Sequence, residues 1–443
     1  MFTKVMRRAS SVVVFILLVA TPHGVGAEEV DIDRKGIVTA IAGVLEDRYV
    51  YPEIAEQMSA HIRTRLESGE YDEINELNRF AYQLTMDLQE ISEDGHLVVY
   101  EFESDSSQST LADSISDQDV EAHSRDNFGF VAAERMAGNV GYLKFDYFDF
   151  VEIAGPTATA AMTFVANCDA VIIDLRENRG GKKDMVQYLA SYFFRESTHF
   201  LTFYGRNNEV LEKTRSLAYV PGKRLFDTPV YILTSQKTGS AAEAFTYNLS
   251  SYDRATVVGE ITMGIAHWIE PVDLQEYGLR IRVPYARPEN AVTRTSWERV
   301  GVRPDIEVPA DEALAAAHLE AMNMLIERST DEEVRRILEW DIVEVLAHAE
   351  PMDWTPKAMS AYTGIYGAPK YAISVDDGEL CWHYSADEVH NLVPLNADVF
   401  EFADDDEIRL RVFRDEAGAV SSFQLIYSDG YEGRVWPRVG DLS

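Results

Sequence analysis

YILTSQKTGSAAEAF, residues 231–245, is the stretch on which the fold turns. Together with Pro229 and Val230 ahead of it, its first part is an apolar run of strand length. A polar turn follows, and residues 241–249 are good helix formers. Strand, turn and helix in immediate succession are the unit of a layered α/β domain. Ser240 falls at the junction, at or next to a helix N-terminus, where free N–H groups and the positive end of the helix dipole converge. A serine nucleophile needs such a place, because its alkoxide and the later oxyanion are both negative. A plain N-cap serine needs the same place, so the local pattern leaves both roles open.

Working outward, strands and helices alternate from Val131 to about Val308. Strands are expected at 139–148, 170–175, 229–234, 256–259 and 279–283, and helices at 154–166, 183–194 and 241–252. The unbroken apolar run at 170–175 is that of a strand buried on both faces. Upstream, Ile37, Ile41, Val44 and Leu45 recur at helical spacing. Runs at 54–66 and 77–88 do the same and end in the turn Glu93-Asp94-Gly95-His96, before a short strand at 97–102. Residues 102–127 are acidic and Ser-rich, with little to bury, and are expected to be peripheral. Residues 310–346 are helical in pattern. From Ala361 short strands take over, at 371–375, 380–384, 399–402, 408–413 and 422–427, with Tyr366, Ile373, Leu380, Leu392, Phe400, Leu410, Val412 and Leu425 as their expected core. The division this gives is a signal peptide (1–27), a helical N-terminal domain (28–101), an acidic connector (102–127), an α/β core (128–309), a helical linker (310–355) and a small all-β domain (356–443).

Composition bounds the function. A chain of 443 residues, 46% hydrophobic, builds two or three real cores. Lys4, Arg7 and Arg8 precede an apolar stretch at 12–20 that is too short to span a bilayer. Val25-Gly26-Ala27 then offers a cleavage site before Glu28. These are the marks of export to a periplasm or the exterior, with no membrane anchor left after processing. Cleavage removes three positive residues and takes the net charge from -35 to about -38, which argues against nucleic acid and anionic membrane as partners. Cys168 and Cys381 have no metal-type spacing, and neither a metal nor a cofactor is expected. Whether the two cysteines pair, and the oligomeric state, are left open.

Three segments accompany Ser240. Asp174-Leu-Arg-Glu-Asn-Arg-Gly-Gly181 leaves the buried strand, and its paired glycines can turn sharply and expose N–H groups, as an oxyanion site requires. The turn at 93–96 supplies His96, the commonest type of general base. Ser296-Trp-Glu-Arg-Val-Gly-Val-Arg-Pro-Asp-Ile306 supplies Glu298, a carboxylate able to orient an imidazole.

Together these segments resemble the C-terminal processing peptidase superfamily of serine peptidases, in the branch of the tricorn core protease and the interphotoreceptor retinoid-binding protein repeats. The motifs are T-S-x-x-T-x-S-A-A-E (Thr234 to Glu243), D-x-R-x-N-x-G-G (Asp174 to Gly181), G-E-x-T-x-G (Gly259 to Gly264) and W-E-x-x-G-V-x-P-D (Trp297 to Asp305). The resemblance covers roughly Ile37 to Val308. It implies a ClpP/crotonase-like core of β-β-α units and a peptide or protein substrate. It also implies Ser240 as nucleophile, His96 as base, Glu298 as the orienting carboxylate, and Gly180, Gly181 and Ala241 as oxyanion-hole donors. The Lys of the processing-peptidase branch, 25 positions after the nucleophile, is Ile265 here, so a Ser–Lys dyad is not available. The Ser before the catalytic His of the tricorn-like enzymes is Gly95 here, and there is no room for a PDZ module between His96 and Asn139. His267, 27 positions after Ser240, is a rival base. Two further readings compete with the peptidase: a non-catalytic carrier of hydrophobic ligands on the same fold, and an interaction protein using its acidic surface. A carrier has no need of a complete Ser/His/Glu set, and little in the sequence speaks for the interaction protein.

Overall fold

A computed structural model of the chain describes residues 32–102, 117–349, 352, 354–367, 371–385 and 388–441. The expected signal peptide and residues 103–116 of the expected connector lie outside the described residues.

Three helices come first: α1 (Arg34–Arg48), α2 (Pro52–Glu67) and α3 (Leu77–Ser92). Their ends follow local chemistry. The Asp33 carboxylate accepts the Gly36 N–H at the head of α1, Pro52 opens α2, and Glu93 ends α3 in a left-handed conformation with φ 52°. Their apolar faces, including Ile37, Ile41, Leu45, Leu84 and Leu88, pack against Leu279, Ile281 and Val283. Each side chain buried this fully contributes roughly 1.5–3 kcal/mol of transfer free energy.

The middle of the chain runs β1 (Val98–Glu101), α4 (Asp117–Arg125), β2 (Phe130–Met136), β3 (Val140–Phe145), α5 (Val151–Phe164), β4 (Ala170–Asp174), α6 (Lys183–Ala190), β5 (His199–Tyr204), β6 (Val210–Arg215), β7 (Val230–Thr234), α7 (Ala241–Ser250), β8 (Thr256–Gly259), β9 (Trp268–Leu274), β10 (Leu279–Asn290) and β11 (Ile306–Glu307). A six-stranded sheet has the order β11-β8-β7-β4-β3-β2, parallel throughout except for antiparallel β2 on β3. The β4 alternation explains its unbroken apolar run. Val171 and Ile173 face a core shared with Met162, Met185 and Phe245, while Ala170 and Ile172 face Ala317, Ala321 and Met322 on the other side. A second sheet has the order β1-β10-β5-β6, with β9 also on β10. Strand β10 extends well past the expected 279–283, to Asn290. Pro284, Pro288 and the interleaved arginines mask it in the sequence, and the register shifts between Pro284 and Ala286.

The expected helix over 310–346 is two helices, α8 (Ala313–Arg328) and α9 (Glu332–Ala349), broken where the Asp331 carboxylate accepts the Glu333 N–H. After α10 (Pro356–Ser360) come β12 (Gly364–Tyr366), β13 (Tyr371–Asp376), β14 (Glu379–His383), β15 (Val389–Pro394), β16 (Val399–Phe402), β17 (Asp405–Arg414), β18 (Val420–Tyr427) and β19 (Glu432–Gly440). These eight strands form a closed antiparallel barrel, sealed by β12 on β19. Its core contains Tyr366, Ile373, Leu380, Leu392, Phe400, Leu410 and Val412, with Leu425 half-buried against them. The sequence hides β15 and β19 because each contains a proline and exposes valines, which breaks the apolar/polar alternation of a half-buried strand. Cys168 and Cys381 are both free and buried. Among the described residues no helix is long and apolar enough to cross a membrane.

Candidate active site

The carboxyl ends of β4 and β7 lie side by side, with Asp174 opposite Leu233, so the turns that leave them meet. Crevices at such strand ends are where open parallel sheets bind ligands. In the first turn the Asn178 amide donates to the Phe145 carbonyl at 2.9 Å, and its Oδ1 accepts the Gly180 N–H at 2.9 Å. In the second, the Thr238 hydroxyl donates to the Leu175 carbonyl at 2.8 Å. Ser240 precedes α7 with φ 52° and ψ -114°, a conformation that a non-glycine residue adopts only under constraint. Gly180 makes room for it, since a Cβ there would stand 2.8 Å from the Ser240 Cβ and 3.0 Å from the Ala241 nitrogen. Gly181, at φ 135°, has the Phe148 backbone against it.

Glu243 supplies the constraint. It is fully buried, and its Oε2 accepts the N–H groups of Ser240 (2.8 Å) and Ile265 (3.0 Å). Its Oε1 accepts the Thr262 hydroxyl and the Gly264 N–H, each at 2.6 Å. One carboxylate thus ties the Ser240 turn to the loop 259–267. Burial pushes its pKa up to about 7, although all four donors pull it down.

That loop ends in His267, 3% exposed, whose Nδ1 lies 2.7 Å from Asp94 Oδ2. A carboxylate only accepts, so Nδ1 carries the hydrogen, and Nε2 is left as the acceptor. Nε2 is buried and has no partner among the described residues. Asp94 is itself held by the Tyr49 hydroxyl (3.2 Å) and the His96 N–H (3.0 Å). Burial would raise the Asp94 pKa, but the hydrogen bond and charge of His267 outweigh it and hold the carboxyl below its ordinary range. Glu298 is the second carboxylate at the ring. Its Oε2 is 3.6 Å from His267 Nδ1 and accepts the Ala266 N–H at 2.6 Å. Burial raises its pKa, and the charge of Asp94 adds to this against the pull of His267.

Ser240, Ala241, Gly181 and His267 line one cavity of about 80 Å³, walled by apolar side chains from β5, α6 and α7 and by Trp268 and Trp297. The structure thus brings Ser240, His267 and Glu298 to one place. His96, the residue expected as the base, is not among the residues lining this cavity. Its N–H goes to Asp94, and its ring Nδ1 is buried without a partner among the described residues. Burial pushes the His96 imidazole down to about 4, against the pull of Asp94. The Asp-Gly turn that was expected to deliver His96 instead delivers Asp94, to His267. Of the three expected oxyanion donors, the Gly180 N–H is engaged by Asn178. Ala241, at the first position of α7, has a donor that helix geometry leaves without an intrahelical partner. Asp94, His267 and Glu298 also place potential ligand atoms within 4.8 Å of one another, as do His61, Asp87 and Glu90. In both groups carboxylates already have protein partners, so neither arrangement requires an ion.

Residues 139–308 match a family model described as peptidase family S41, and residues 30–126 match the N-terminal domain of that family in eukaryotic IRBP. Similar solved structures include the photosystem II D1 C-terminal processing protease, at 13% identity over 63% of this chain and 94% of that one, TM-score 0.40. A lipoprotein from Streptococcus agalactiae is 15% identical over 68% of this chain and 100% of that one, TM-score 0.40. The tricorn protease is 12% identical over 67% of this chain and 37% of that one, TM-score 0.42.

Proposed function

The chain belongs to peptidase family S41 and is a serine-type peptidase, and from that premise we propose that it is an exported enzyme hydrolysing peptide bonds with Ser240 as nucleophile, His267 as base and Asp94 as the carboxylate that orients the base. The observation that carries this reading is the His267 ring, fixed by Asp94 at Nδ1 and with Nε2 unpartnered among the described residues, on a residue that lines the same cavity as Ser240. In the acylation step Ser240 Oγ attacks the scissile carbonyl carbon, and His267 Nε2 takes its proton and returns it to the leaving amine. A water then repeats the sequence on the acyl-enzyme. The N–H groups of Gly181 and Ala241 are the proposed oxyanion donors. Gly180 serves by having no side chain. Glu298 supports the imidazolium from the second carboxylate position. His96 fixes Asp94 through its backbone and holds a neutral ring.

The proposal includes the ClpP/crotonase-like description of the core. What supports it is the series of parallel strands β3, β4, β7 and β8, with α5, α6 and α7 between them. It also includes the division at 28–101, 102–127, 128–309, 310–355 and 356–443. On that division a fragment of residues 356–443 should fold alone, since β12–β19 close on themselves. A cooperative thermal transition of the isolated fragment is expected, and a featureless melt would count against the boundary. Export rests on the basic and apolar pattern of residues 1–27.

The carrier reading fares worse at this site. A cavity of about 80 Å³ beside Ser240 is small next to the roughly 300–1,000 Å³ of typical ligand pockets. The test is labelling with a fluorophosphonate. The wild-type chain should react at Ser240 and the Ser240→Ala variant should not. A wild-type protein that neither reacts nor cleaves a casein digest would end the peptidase reading.

A further inference from the structure

The corner between α1 and α2 reads Tyr49-Val50-Tyr51-Pro52 and belongs to none of the four motifs around Ser240. Pro52 biases the residue before it toward extended backbone, and α1 stops at Arg48. The core holds this corner from several sides. The Val50 N–H donates to the Pro284 carbonyl at 2.9 Å, and the Arg206 guanidinium donates to the Tyr49 carbonyl. The Tyr51 ring meets the His267 ring edge-on, with centroids 5.6 Å apart. Tyr49 is fully buried, in the apolar cluster that also holds Ile41, Leu45 and Leu84. A phenylalanine would fill such a place with no polar atom to satisfy. The Tyr49 hydroxyl donates to Asp94 Oδ2 at 3.2 Å, the same oxygen that lies 2.7 Å from His267 Nδ1.

Resting on the peptidase reading, we propose that Tyr49 is a positioning residue of the reaction, holding Asp94 against His267 and moderating how firmly the ring keeps the proton it takes from Ser240. In acylation that proton moves from Ser240 Oγ to His267 Nε2, and the ring becomes a cation beside Asp94. The Tyr49 proton stays on Tyr49. Burial, and then the charge of Asp94, push its phenol well above the ordinary range, so toward the carboxylate it is a permanent donor. A donor on Oδ2 takes up part of the charge that otherwise steadies the imidazolium, so the ring returns its proton to the leaving amine more readily. The other groups that face this pair are Glu298, 3.6 Å from His267 Nδ1, the His96 ring, Arg282 and Arg299. Removing the hydroxyl changes the charge of none of them.

The test compares the pH dependence of kcat/KM for the full-length wild type and Tyr49→Phe on one coumarin-amide peptide. Tyr49→Phe should move the acid limb to higher pH by about 0.5 to 1 pH unit, because a carboxylate with one donor fewer holds the imidazolium more firmly. Plateau kcat should fall by about 3- to 30-fold as the ring loses part of its support. KM should stay within about twofold, since Tyr49 does not line the Ser240 cavity. A ring-fluorinated tyrosine at position 49 keeps the shape and makes the hydroxyl a stronger donor, so it should move the limb to lower pH. It also carries the test if Tyr49→Phe fails to fold. A hydroxyl that only supports the fold would lower activity or Tm with the limb in place. A limb unmoved by both replacements therefore overturns the proposal, and if the wild type still labels at Ser240 and cleaves the peptide, the peptidase reading stands alone. A wild type that neither labels nor cleaves overturns the two together.

Discussion

His267→Ala is expected to lower kcat by about 10⁴- to 10⁶-fold, the loss seen when the base of a serine triad is removed. His96→Ala should change kcat by less than about tenfold, because that ring transfers no proton in the proposed mechanism. The contrast follows from placement. His267 Nε2 has no partner among the described residues and His267 lines the Ser240 cavity, whereas His96 is outside the lining and reaches Asp94 through its backbone N–H. Asp94→Asn should cost about 10²- to 10⁴-fold, since an amide at 2.7 Å from Nδ1 favours the wrong tautomer and gives no charge to the imidazolium. Glu298→Gln, 3.6 Å from the ring, should cost less than Asp94→Asn. Initial rates on one peptide, with thermal melts to check folding, establish the order. A dead His96 variant beside an active His267 variant would reverse the assignment of the base.

Glu243→Ala is expected to be the most damaging substitution that leaves the catalytic groups in place. It strips acceptors from the buried Gly264 N–H and Thr262 hydroxyl and from the part-buried Ser240 and Ile265 N–H groups. Buried donors left in this way cost about 1–3 kcal/mol each at most, with partial relaxation, so a total loss of roughly 3–5 kcal/mol is expected. Turnover should fall with it, because the same carboxylate holds the Ser240 turn and the loop that ends in His267. The sign of its pH dependence is fixed. Burial raises the Glu243 pKa from 4.5 to about 7 in the fold, so between those values the native state keeps a proton that the unfolded chain has lost. Its contribution to stability therefore declines as pH rises from about 4.5 to about 7 and is constant above that range. Glu243→Gln lacks this contribution. Urea denaturation across that range should show wild-type stability falling relative to the Gln variant, and parallel curves would contradict the account.

Much of this was legible in the sequence because the decisive elements are buried on both faces or carry fixed turn chemistry. The β4 strand reads from its unbroken apolar run, and the junction at Ser240 from the change of pattern within residues 231–245. Strands β15 and β19 were not legible, because each carries a proline and neither shows a clean apolar/polar alternation: valines are exposed in both. The proposed base differs from the expected His96 for a different reason. The turn at 93–96 does reach the site, but pattern gives no side-chain directions in an irregular turn, and it is Asp94 that points to His267. Glu243 was visible only as the last letter of S-A-A-E, three residues after a cap serine. In that position a Glu is a routine partner of the cap; its contacts with Gly264 and Ile265 are long-range and leave no local signal.

The most direct measurement is a crystal structure of the fluorophosphonate-treated protein. The account predicts phosphorus bonded to Ser240 Oγ, the phosphoryl oxygen within about 3 Å of the Gly181 and Ala241 nitrogens, and His267 Nε2 as the ring nitrogen nearest the adduct. An adduct on another residue, or one on Ser240 with the His96 ring against it and His267 turned away, would contradict it.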